Sequence, residues 1–304
     1  MLTTLLTAID IIALTISCYG NSFLLVANAL EWRKTKAINT SDQLICGISF
    51  FSSLYEVLKL CGYILQLPPI GLVVTYDVRR VSTVVCLAII SCNIWISTWL
   101  SVSFCFKIVN IQQKFYMYLQ RRLPRLMIWL LLPSALVSYS LSLTFSWDIF
   151  EKDRLNVTLN NSRKNESALF ILRRCACLYE AFIVFSSLGF PLSLASLVTI
   201  IKSLYRHVKN MRKSGENFQN PNLDTHTRAI RTIALLLLIN AFFCYALALT
   251  ALKGNDLQWS PYIYIFTSVC HALNSFNIIL GNSKLKRSYF ASFGLRMQNN
   301  ARSG

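Results

Sequence analysis

The sequence predicts an all-α membrane protein, a single bundle of seven transmembrane helices, and three observations carry that prediction. Seven stretches poor in charge divide the chain, most of them long enough to cross a hydrocarbon core of about 30 Å at about 1.5 Å per residue. Of 304 residues, 54% are hydrophobic and only 14% are charged, which excludes a soluble two-domain protein. The net charge of +17 resides in short segments between apolar runs rather than on one water-soluble unit, which argues against a nucleic-acid protein.

The expected spans are residues 5–30, 43–65, 81–106, 126–146, 178–204, 230–252 and 259–282, with 1–304 forming one transmembrane domain. The first is apolar almost from Met1 and lacks a basic leader or small-residue cleavage site, so it is expected to remain as a signal anchor. The second carries Glu56 and Lys59, which are three apart and share a helix face; an internal ion pair and a ligand-facing role fit them equally. The third, 81–106, contains no Asp, Glu, Lys or Arg but is interrupted by Ser82, Thr83, Ser91, Asn93, Ser97, Thr98, Ser101 and Ser103. Small and hydroxylated side chains let helices approach closely, so this span is expected to be surrounded by others. The fourth, sixth and seventh are apolar runs free of acids and bases over most of their length. The fifth has Glu180 near its outer end without a local partner, which favours binding over simple exposure to water. A charge at a helix centre costs about 2.5–3.5 kcal/mol in a membrane, so Asp10, Glu56, Lys59 and Glu180 are expected to face the interior or water.

Orientation follows from the bases. Residues 31–41, 107–125, 202–231 and 283–304 hold 20 Lys and Arg, against 9 in 1–10, 66–80, 146–174 and 253–260, so the first set is expected in the cytoplasm. The termini then lie on opposite sides, with an extracellular N-terminus and a cytoplasmic tail, 283–304. Three glycosylation acceptors, Asn156, Asn160 and Asn165, fall in loop 146–174, which agrees with an extracellular position. A fourth match at Asn39 lies in a short basic loop on the other side and is read as chance.

No catalytic constellation rises above background. His207, His226 and His271 have no metal-ligand spacing, and there is no nucleophile elbow, phosphate-binding loop or paired-carboxylate signature. Catalytic residues, cofactors and metals are therefore not expected. The ten cysteines are scattered, mostly within spans; a bridge from Cys86 to Cys175 or Cys177 is less expected than free thiols.

Local motifs are more specific than topology. Asn21, Ser22, Phe23 and Leu24 are followed by Asn28, Glu31, Trp32, Ile38, Asp42 and Gln43. Trp95, Thr98, Leu100, Ser101, Val102, Lys107, Ile108 and Asn110 end the third span. Ser193, Leu194, Ser196, Ser203, Leu204, His207 and Met211 follow on the fifth, and Pro221, His226, Ala229 and Arg231 precede the sixth. The seventh closes with Ser275, Phe276 and the run Leu280 to Lys286. In this register the chain resembles the bitter taste receptor family, type 2, as a divergent member. The resemblance covers most of the chain and is strongest on the cytoplasmic side. It departs at Ser52, where the family has Arg, at Ile239 or Asn240 in place of Tyr, and at Cys270 and Asn274 in place of Pro and His.

The resemblance implies a bundle of G-protein-coupled receptor type, located at the plasma membrane, that binds small, mostly apolar bitter compounds. Family ligand-contact positions fall on Cys86, Ile90, Ala181, Phe185 and Tyr264, to which Asn93 and Glu180 are added as nearby polar candidates. Asn93 fits either ligand contact or a hydrogen bond to a neighbouring helix. The G-protein contact is expected at Lys107, Ile108, Asn110, His207, Met211, His226 and Arg231. Implied partners are bitter agonists, a gustducin-like heterotrimeric G protein of the Gi class, membrane lipid, and a homo- or hetero-oligomeric partner; nucleic acid is not among them. The alternatives are a vomeronasal type 1-like pheromone receptor and, from another class, a small membrane transporter or channel using Glu56, Lys59 and Glu180. Transporters commonly carry repeats and broken helices at the midplane, which this sequence lacks.

Overall fold

The computed structural model describes residues 2–36, 39–65, 76–109, 129–144, 181–213, 230–242 and 260–292, with positions 118, 122, 126, 127, 228, 244 and 245. The helices are α1 (Leu2–Thr35), α2 (Thr40–Leu65), α3 (Tyr76–Ile108), α4 (Trp129–Thr144), α5 (Gly189–Lys213), α6 (Ile230–Phe242), α7 (Ser260–Gly281) and α8 (Ser283–Ser292). Helical residues 181–187 lead into α5, so that its apolar stretch is Ala181–Ser203. Among the described residues no strand is found. Leu5–Thr35, Thr40–Ile64, Val84–Ile108 and Ala181–Ser203 are long and apolar enough to cross a membrane; Trp129–Thr144, Ile230–Phe242 and Ile265–Gly281 are shorter apolar helices.

The first two helices turn a polar stripe inward. On α1, Asp10, Leu14, Ser17, Asn21, Leu24 and Asn28 recur every three or four residues and are buried, while Leu5, Ile9, Ile12 and Ile16 are exposed. On α2, Ser49, Ser52 and Glu56 are buried, while Phe50, Leu54, Val57 and Leu60 are exposed. The 3.6-residue period that makes a soluble helix apolar inside thus makes these helices polar inside, because hydrocarbon solvates Leu and Ile at no cost and does not solvate Asn or Glu.

α1 packs on both α2 and α7, α2 also packs on α3, and α3 on α5. Close approach depends on small residues. A β-carbon added at Gly189 would stand 2.5 Å from Thr98 Oγ1, so only glycine lets α5 lie this near α3; Thr98 Oγ1 also lies 3.4 Å from the Gly189 carbonyl oxygen. Ser91, Ser97, Thr98, Ser101 and Ser103 are all buried, in keeping with a third span surrounded by others.

A core of Leu24, Ile48, Leu100, Leu236, Ile278 and Ile279 joins α1, α2, α3, α6 and α7. A second, of Val109, Leu197, Ile200, Ile233 and Leu237, ties the end of α3 to α5 and α6. The short α8 is anchored by Tyr289, whose ring meets Phe23 at 5.0 Å and Phe276 at 6.0 Å, both edge to face.

Candidate functional site

A column of buried polar side chains runs between α1, α2, α3 and α7. At one end Lys59 Nζ lies 2.9 Å from Asp10 Oδ2 and donates to Ser268 Oγ at 2.8 Å. Ser268 Oγ donates to Asp10 Oδ1 at 2.6 Å, and Tyr63 donates to Oδ2. One ion pair with two hydroxyl donors thereby ties α1, α2 and α7. The Glu56–Lys59 ion pair that spacing allows is not the arrangement found. The ion pair runs across helices to Asp10, and Glu56 Oε1 accepts from Ser17 Oγ and, at 2.9 Å, from Asn21 Nδ2. The reason is geometric: Asp10 projects from the facing helix into the level of Lys59, whereas Glu56 lies one turn nearer Asn21.

Further along, Ser52 is the hub. Asn93 Nδ2 donates to Ser52 Oγ at 3.2 Å, and His271 Nδ1 lies 3.1 Å from the same oxygen. The ring of Tyr55 lies 4.9 Å from that of His271, and its hydroxyl is 3.2 Å from Thr267 Oγ1. Where the family resemblance leads one to expect Arg, a serine accepts from α3 and meets α7.

Of the expected ligand positions, Ile90 is buried with Tyr55, Ile94, Ile239 and Cys270. Cys86 is half-buried and its thiol is free. Asn93 is buried and bonded to α2, so of its two expected roles the interhelical one is present in the structure. Phe185 stacks on Trp95 at 5.0 Å, and Trp95 faces Trp99 at 6.1 Å. Residue 95 is about 200° round α3 from residue 93, so Phe185 meets a different face of that helix from the one presenting Asn93. Ala181 is exposed. Tyr264 lies on α7, but its side chain, like Glu180, Cys175 and Cys177 altogether, falls outside the described residues.

On the opposite side, Lys107 Nζ donates to Ser41 Oγ at 2.8 Å, and Ser41 Oγ is 3.4 Å from Ser103 Oγ. Ile108 packs on the core that joins α3 to α5 and α6. Asn277 Nδ2 donates to the Thr232 carbonyl at 3.0 Å, linking α7 to the start of α6. Arg231 is exposed there. His207 and Met211 are helical residues of α5 whose side chains are outside the described set, as are Asn110, His226, Asn156, Asn160 and Asn165 entirely. Sequence reasoning missed Asp10 as the partner of Lys59, and His271 as a partner of Ser52. The signal for both lay in helix-face register between distant segments, which a single sequence does not display.

Among the described residues there is no group of three or more His, Cys, Asp and Glu able to hold a metal. The fold is similar to that of squid rhodopsin, a seven-helix receptor, with a TM-score of 0.60 at 10% identity over 96% of this chain and 85% of that one. In sequence the chain is 31% identical to taste receptor type 2 member 41 of Pan paniscus over 66% of each chain, so the aligned part spans just under two thirds of that relative. It is 24% identical to taste receptor type 2 member 43 of Homo sapiens over 93% of this chain and 91% of the relative. The family model described as taste receptor protein (TAS2R) matches residues 1–295. With that match running from the first helix through the last, the chain belongs to the TAS2R family of taste receptor proteins.

Proposed function

We propose that this protein is a G-protein-coupled chemosensory receptor of the plasma membrane. It binds small, mostly apolar bitter compounds among the outer halves of its helices and activates a heterotrimeric G protein. The single observation that carries this reading is the family match over residues 1–295. The rhodopsin-like fold supports it, as do the buried polar bonds that tie α2 to α3 and α7.

Agonist contacts are assigned to Cys86, Ile90, Asn93, Glu180, Ala181, Phe185 and Tyr264, and the G-protein contact to Lys107, Ile108, Asn110, His207, Met211, His226 and Arg231. The N-terminus is outside, the glycans sit on Asn156, Asn160 and Asn165, and the G protein is a gustducin-like member of the Gi class. An agonist activates by binding the open arrangement of the inner helix ends better than the closed one, and the G protein favours that same arrangement reciprocally. The test is a calcium or G-protein dissociation assay on His207→Ala, Asn110→Ala and Arg231→Ala, with Arg302→Ala as a distant basic control. Large losses in the first three and none in the control support a shaped interface. Equal small losses in all four would mean that basic charge alone matters.

A further inference from the structure

We propose that a cavity between α2, α3 and α4 binds a small apolar aromatic molecule, the size of a single ring. The cavity encloses about 190 Å³, and its walls include Gly47 and Phe51 of α2, Cys92 and Ile96 of α3, and Met127 and Ala135 on the α4 side. Thr40 and Gln43, at the start of α2, close one end of it. Lys107 meets the neighbouring Ser41, so the cavity lies on the Lys107 side of the bundle, away from Cys86 and the other positions assigned to agonists. Gly47 is what keeps it open. A β-carbon added at Gly20 or Gly189 would stand 2.5 Å from a hydroxyl oxygen of the next helix, whereas at Gly47 the nearest atom is Ile96 Cδ1 at 3.6 Å, an ordinary van der Waals distance. Gly47 therefore leaves space, where the other two let helices touch.

Size and lining select the guest. The walls offer water little to bond, because the Ser134 hydroxyl already donates to the Leu131 carbonyl at 2.9 Å and the deeper residues are apolar. An apolar cavity of about 150 Å³ stays dry and takes up benzene, so this one matches a single ring with little room to spare. Phe51 presents an aromatic ring and Met127 a polarisable sulfur, and both favour an aromatic guest over an aliphatic one. A fused-ring sterol is several times too large. A lipid chain would fit in part, but it loses more rotamer freedom on entering than a rigid ring does. Leu131 and Ala135 are only half-buried, which gives a molecule dissolved in hydrocarbon a way in beside α4.

The experiment uses the full-length receptor purified in detergent. Thermal unfolding is followed against rising fluorobenzene, with the fluorine NMR linewidth of the probe measured in parallel. The wild type should show a saturable rise in Tm of roughly 2–4 °C and a signal broader than in empty micelles. Gly47→Leu, which puts a side chain into the cavity, should abolish both; Ala135→Leu fills it from α4, should do the same, and serves if Gly47→Leu fails to fold. Lys284→Ala, on the surface, should leave both intact. The flexible chain n-hexane, with as many carbons, should raise Tm less. No saturable rise in the wild type, a response that survives both filled variants, or a larger response to n-hexane would overturn the site. Neither readout needs an agonist or a G protein, so failure here is separable from failure of the receptor function.

Discussion

Lys59 of α2 reaches across to Asp10 of α1, its ammonium 2.9 Å from Oδ2, although Glu56 stands three residues before it on its own helix. The pair joins two segments that are 49 residues apart, and Ser268 brings in a third. Removing one member of a buried pair strands the other charge, at a cost of about 3–5 kcal/mol, whereas replacing both by apolar residues is often neutral. Lys59→Met should therefore collapse surface expression and lower the thermal midpoint sharply, and Lys59→Met with Asp10→Leu should recover most of the loss. Detergent-extracted Tm values for the two variants decide this; a single variant as stable as wild type contradicts the role.

That pair also marks where sequence reading stops. The inward-facing charges were legible, because Asp10 and Glu56 stand in otherwise apolar runs where a charge is costly, and both prove to be buried. The surrounded position of α3 was legible from its eight hydroxyl and amide interruptions, most of which prove to be buried. Which stripe faces which depends on the rotation of each helix about its own axis. Local spacing constrains that only within one helix, so Glu56 is the obvious partner of Lys59 on paper and Asp10 is the partner in space. His271 escaped for the same reason: its meeting with Ser52 requires α2 and α7 to be neighbours at that depth, 219 residues apart in the chain.

Small residues hold the α1–α7 contact at short range. A β-carbon at Gly20 would stand 2.5 Å from Ser275 Oγ, so Gly20→Val should force the helices apart at a cost of about 1–3 kcal/mol. Adding Ser275→Ala to Gly20→Ala should return part of the stability. Equal thermal midpoints for Gly20→Val and wild type would show that the helices are not this close.

The Lys284–Glu31 pair, at 2.6 Å, links the start of α8 to the end of α1 but stands largely in water. Exposed pairs contribute about 0–1 kcal/mol, so Lys284→Ala should change the thermal midpoint little, and less still at high salt. Tyr289→Ala should cost more, because it removes a ring packed on Phe23 and Phe276. If Lys284→Ala proved the more damaging of the two, α8 would be anchored by charge rather than by aromatic packing.

For the agonist pocket, Tyr264→Ala and Phe185→Ala should raise the half-maximal concentration of agonists by roughly tenfold each, the loss of about 1.4 kcal/mol of contact. Surface expression should stay normal. Phe185 stacks on Trp95, so Trp95→Ala should reproduce the Phe185 effect if that face of α3 is where agonists enter. Unchanged concentration responses for both Tyr264→Ala and Phe185→Ala, at normal expression, would place the pocket elsewhere.

Coupling of a bitter compound to a G protein by this bundle would be read out by nucleotide exchange on a purified Gi-class heterotrimer. The receptor would be reconstituted in lipid and challenged with a panel of small apolar bitter compounds. At least one compound should accelerate exchange in a concentration-dependent, saturable way, and Arg231→Ala should blunt it. A compound-dependent ion or solute flux through the same proteoliposomes, with no acceleration of exchange on any class of Gα subunit, would contradict that coupling.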